Sequence, residues 1–115
     1  MPIPTEIRLD RVAQHLNVAF DSGEEFILPL EYLRVESPSA EVQGHGPGEK
    51  RIVIGKRDVG VARVENVGNY AVLLVFDDGH DTGIFSWDYL YDLGREQAVR
   101  WQAYLDAVAA RGLSR

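Results

Sequence analysis

The stretch FDDGHDTGIFSWDYLYDLG, residues 76–94, gathers residue types that can do chemistry. His80 sits in a glycine turn with Asp77, Asp78 and Asp81 around it. An imidazole among carboxylates can hold a divalent ion, so His80, Asp78 and Asp81 are the metal candidates the residues themselves offer. Side chains on a tight turn diverge, however, and a four-ligand site needs donors from elsewhere in the chain. The other histidines, His15 and His45, fall in a strand and a loop far away in sequence. The competing reading makes Asp78-Gly79 a hairpin turn in which His80 hydrogen-bonds locally. No metal is expected on these residues alone.

Catalysis finds less support. The chain has no cysteine, which removes thiolate nucleophiles, disulfides and cysteine-based metal sites. Ser37 and Ser39 lie in a stretch expected to be a floppy loop, and no Gly-x-Ser-x-Gly elbow is present. GHGPGEK, residues 44–50, is only loosely like a phosphate-binding loop. It lacks the Gly-Lys-Ser/Thr that must open a helix, since Gly48 is followed by Glu49, Lys50 and Arg51. No catalytic residue is assigned, no cofactor is implied, and the chain is not expected to be an enzyme.

The elements that must position these residues follow from local pattern. Leu16, Val18 and Phe20 alternate with polar or small residues, the period of a half-buried strand. DSGE, with Gly23 placed for a positive φ, turns that strand into the apolar EFIL. Pro29 suits the first position of a short helix, PLEYLR. Residues 35–51 carry two prolines and three glycines without apolar period, and predict a long surface loop. RIVIG and VGVARVENV predict short strands, and NYAVLLVF a strand buried on both faces. After the DDGH turn, DTGIF returns antiparallel, Ser86 caps a helix with Asp88 in its first turn, and Gly94 ends it. The last segment places Ala98, Trp101, Leu105 and Val108 on one helical face, pairs Glu96 with Arg100, and stops at Gly112. The fold class is α+β: a small antiparallel sheet built from hairpins, a short helix after the first hairpin, and two C-terminal helices.

Composition bounds the rest. At 115 residues the chain is read as a single domain, 1–115, large enough to bury a core. A net charge of −6 argues against nucleic acid and anionic membranes as partners. The start, MPIPTEIRLD, lacks the features of a signal peptide, so a cytoplasmic location is expected. Lys50, Arg51, Lys56 and Arg57 form the only basic patch, read as a solvated strand edge or a contact for an acidic partner. Phe85, Trp87, Tyr89, Tyr91 and Trp101 are expected mainly to pack the helices onto the sheet, with one or two left to anchor a partner.

LEYLR at 30–34 and VGNYAVLLVFDDGHDTGIFSWDYLYDLG at 67–94 resemble the gamma-butyrobetaine hydroxylase-like N-terminal domain family, bacterial stand-alone proteins largely of unknown function. In the two-domain hydroxylases the related segment is an accessory domain, and the oxygenase chemistry belongs to an iron and 2-oxoglutarate domain. Related domains also occur fused to iron–sulfur cluster carriers. The resemblance further implies structural zinc held by three cysteines after the Leu-Arg pair and by the histidine of the Asp-Gly-His turn. Here the cysteine positions read Ser37, Ser39 and Val42, and only His80 remains. Serine is a poor zinc ligand and valine none, so the zinc is expected to be lost and the 35–51 loop to be more mobile than in zinc-bearing relatives.

The leading expectation is therefore a non-catalytic binding or accessory module. Its partner is a protein, with iron–sulfur or oxygenase machinery the class that the resemblance suggests. Self-association is a further route to a complete site. The alternative is a metal-binding protein using His80 with the neighbouring acids and His45.

Overall fold

A computed structural model describes residues 2–44 and 50–115. Six strands and four helices follow in the order β1 (Pro4–Asp10), β2 (His15–Phe20), β3 (Glu25–Pro29), α1 (Leu30–Val35), α2 (Ala40–Gln43), β4 (Val61–Val67), β5 (Ala71–Phe76), β6 (Gly83–Ser86), α3 (Trp87–Arg95) and α4 (Gln97–Ala110). The strands form two antiparallel three-stranded sheets, β1-β2-β3 and β4-β5-β6. The α+β class and the helix placement follow the sequence reading, with the strands divided between two sheets.

The period-2 pattern sets the first sheet. Leu16 pairs with Leu9 and Leu28, and Val18 with Ile7 and Phe26, so one face of all three strands is apolar. That face meets Val61, Val72, Leu74, Phe76 and Phe85 of the second sheet in one core, closed by Leu30, Tyr32 and Leu33 of α1 and Leu90 and Leu93 of α3. Fully burying a leucine or phenylalanine contributes roughly 1.5–3 kcal/mol, so this cluster is the main source of stability. Within it the Tyr32 hydroxyl donates to Leu93 O at 2.7 Å and ties α1 to α3.

Several local expectations hold. The Ser86 hydroxyl accepts from Tyr89 N at 3.1 Å and caps α3. Gly112 adopts φ +66, and Leu113 N donates to Val108 O, closing α4 as expected. Arg100 Nε lies 2.9 Å from Glu96 Oε1. Trp87, Tyr89, Tyr91 and Trp101 pack on the main core.

Others are corrected. β1 is an additional strand, whose signal in the sequence is only the Ile7–Leu9 alternation. Pro29 is the residue before α1 rather than its first. Residues 51–55 are no strand: Arg51 N donates to Val42 O, and Val53 O accepts from the Tyr104 hydroxyl at 2.6 Å. Ile52 and Val53 cover a second small core of Val35, Tyr104 and Val108, so their apolarity serves α4 and not a ladder. Gly94 does not end α3, which runs on to Arg95. A Cβ there would lie 2.4 Å from the Phe26 ring, so glycine is what lets α3 approach β3. On α4 the buried residues are Tyr104 and Val108, while Ala98 is exposed.

Candidate functional site

The DDGH turn is a hairpin turn, with Gly79 at φ +92 and His80 O accepting from Phe76 N at 2.9 Å. His80 does not bond only within it. Its side chain is 1% exposed, with Nε2 2.8 Å from Ser37 Oγ and Nδ1 2.9 Å from Glu41 Oε2. A carboxylate only accepts, so Nδ1 carries the proton to Glu41, and Nε2 shares a hydrogen bond with the Ser37 hydroxyl. Ser37 Oγ in turn accepts from Ser39 N at 3.3 Å.

This union reaches into the segment expected to be floppy. Ser37 is 0%, Val42 1% and Ser39 9% exposed. The Ser39 hydroxyl bonds Thr82 Oγ1 at 2.8 Å and accepts from Glu41 N at 3.2 Å, capping the single turn of α2. That turn presents Glu41 to His80. The apolar period could not reveal α2, because it is one turn long; the available signal was Ser39 followed by an acidic residue in the first turn. His45 and most of GHGPGEK lie outside the described residues.

The acids of the turn go elsewhere. Asp78 Oδ2 binds Arg34 Nε at 2.9 Å and Lys56 Nζ at 2.6 Å, and its Oδ1 accepts from His80 N. Burial pushes the Asp78 carboxyl up, but Lys56, the His80 N–H and Arg34 together outweigh it and hold it down at about 2. Asp77 Oδ1 accepts from Gly60 N at 2.9 Å, and Asp81 is exposed. Two members of the basic patch are likewise engaged within the chain: Lys56 pairs with Asp78, and the exposed Lys50 reaches the buried Glu36 at 2.8 Å beside Arg100. Among the described residues no group of three His, Cys, Asp or Glu side chains is placed to hold a metal ion.

Ser37, His80 and Glu41 are bonded in the order of a serine nucleophile, its base and an orienting acid. The chemistry needs more than that order. A substrate atom must come within about 3 Å of the nucleophile and of oxyanion donors. Ser37 is wholly buried, and its Oγ lies 3.0 Å from where a Cβ on Gly83 would stand. The grooves at α1, α3 and α4 are lined by neither Ser37 nor His80. The arrangement ties one segment to another, and its serine is closed to solvent.

Open surface lies instead where α1, the end of α3 and the start of α4 meet. Pro29, Tyr32, Gly94, Arg95, Gln97, Ala98 and Trp101 line a mainly apolar groove of about 500 Å³. Val99, 75% exposed, stands beside it with Ala98, Gln102 and Ala103.

The model of the family described as "Gamma-butyrobetaine hydroxylase-like, N-terminal" matches residues 7–91. The chain belongs to this family. No curated relative matches it. Two proteins solved by NMR are similar over the whole chain: one is 48% identical with a TM-score of 0.86, the chain covering 86% of it, and the other is 46% identical with the same score, the chain covering 90%. A protein of unknown function from Acidithiobacillus ferrooxidans, of the DUF971 family, is 43% identical over 79% of this chain and 91% of its own, with a TM-score of 0.67.

The family's zinc can be tested against this geometry. Tetrahedral donors about 2.0–2.3 Å from zinc stand roughly 3.3 Å or more apart. Ser37 Oγ and His80 Nε2 are 2.8 Å apart with a proton shared between them, and Glu41 takes the other imidazole nitrogen. Val42 offers no donor. The residues present do not fit the metal: at the positions the family gives to ligands, hydrogen bonds join the two segments.

Proposed function

We propose that the chain is a non-catalytic accessory module that docks on a protein partner through the groove between α1 and α4. The observation that carries this reading is the apolar lining of that groove, with Trp101 and Tyr32 in its wall and Val99 exposed beside it. Trp101 is half-buried over the buried Tyr32, and accessible aromatics are the residues that anchor interface centres. The buried Ser37–His80 pair supports the same reading, since it leaves the turn to the fold. Iron–sulfur or oxygenase machinery is the partner class, on the strength of the family resemblance alone.

The test is cross-linking at α4 followed by mass spectrometry, with Val99→Glu and Ala98→Glu set against Tyr70→Glu on another face. Loss of the same cross-linked protein in both α4 variants, and its retention in the third, supports docking at the groove. Retention in all three contradicts it. Sedimentation of the free protein shows whether the cross-linked species is a second copy.

A further inference from the structure

Beyond α4 the chain reverses at Gly112 and returns to α1, where Arg115 meets Glu31. Arg115 Nε lies 3.0 Å from Glu31 Oε2 and its Nη2 2.6 Å from Oε1, a two-pronged pairing of planar groups. The guanidinium carbon also stands 5.2 Å from the centre of the Trp101 ring. The Glu31 side chain is only 9% exposed with Arg115 in place, while Arg115 itself is 33% exposed. A shielded carboxylate beside an indole fits a guanidinium in both fork geometry and ring stacking, and fits an ammonium in neither as well. Trp101 and Tyr32, the neighbour of Glu31, are also walls of the apolar groove.

We propose that Glu31 and Trp101 form an arginine seat, filled by the chain's own Arg115 until a partner segment lying in the groove supplies an arginine in its place. The inference rests on the docking reading and names the chemistry of the partner: an extended segment with an apolar residue for the groove and an arginine for the seat. Charge complementarity at Glu31 favours a basic residue for the seat, while Arg95 in the lining leaves the groove itself to the apolar residue. Exchange of Arg115 for another guanidinium keeps the two-pronged pairing that Glu31 makes, which an ammonium or water does not reproduce.

The probe is the peptide acetyl-Ala-Leu-Ser-Arg-amide, titrated into ¹⁵N-labelled protein while following the Trp101 indole N–H. Arg115→Ala is expected to bind it at least tenfold more tightly than the parent, in which the tethered Arg115 competes. The lysine version of the peptide should bind at least tenfold more weakly, and Glu31→Gln added to Arg115→Ala should abolish binding. A second readout needs no variant: excess peptide added to the parent should shift the Arg115 Nε–H resonance as that side chain is released. Absence of binding, or equal affinity for the arginine and lysine peptides, overturns the seat. Either result leaves the docking reading to its own cross-linking test.

Discussion

His80 and Ser37 stand 43 positions apart in the chain, yet Ser37 Oγ lies 2.8 Å from His80 Nε2 in a site closed to solvent. Two segments with little regular structure, the 36–43 stretch and the β5–β6 turn, are held together at that point. The bond occupies positions where the family resemblance places metal ligands, so a hydrogen-bonded union stands where a coordination bond would otherwise act.

If that union orders the segment, His80→Ala should destabilise the protein by about 2–4 kcal/mol. It removes a buried ring and leaves the Ser37 hydroxyl without its partner. Glu41 is mostly exposed and should matter less, with Glu41→Gln within about 1 kcal/mol of the parent. Urea unfolding of both variants checks the order. Equal effects would show that the histidine does no more than the surface acid.

Acid should weaken the fold through Asp78. Its carboxyl is lowered from 3.8 to about 2. A depressed carboxylate contributes stability above its unfolded value and loses it as pH falls through the folded one. The contribution is therefore complete above about pH 5 and fades between about pH 4 and 2. It is about 1–2 kcal/mol, allowing for screening of a partly exposed group. Unfolding free energy measured across that range in parent and Asp78→Asn should converge at the acid end. A constant difference down to pH 2 would contradict the assignment.

Gly94→Ala should destabilise by about 1–3 kcal/mol although alanine favours helix, because its Cβ would meet the Phe26 ring at 2.4 Å. Adding Phe26→Ala should make the second effect smaller than the sum of the two single changes. Thermal or urea unfolding of the three variants measures it, and strict additivity would show that the two sites do not touch.

The contrast between Gly94 and Gly112 shows what was legible in the sequence. Gly112 acts through its own backbone, with φ +66 at a helix end, and such roles leave a local mark. Gly94 acts through Phe26 on another element, and nothing near it in sequence signals that. The same division runs through the fold. β2, β5 and the Ser86 cap were readable from period and capping, while Ile52 and Val53 read as a strand because their use under α4 depends on Tyr104. The candidate site follows suit. His80 stood out by type, but Ser37 and Glu41 lie 43 and 39 positions away, and only the folded chain brings them to it.

The most direct measurement is calorimetric titration of untagged protein with zinc, iron(II) and manganese, beside His80→Ala and a Ser37→Cys, Ser39→Cys, Val42→Cys variant. The account predicts no one-to-one binding to the parent, and zinc binding gained by the triple cysteine variant, whose thiolates restore a complete ligand set. Micromolar or tighter one-to-one binding to the parent, lost in His80→Ala, would contradict it and make the Asp-Gly-His turn a metal site.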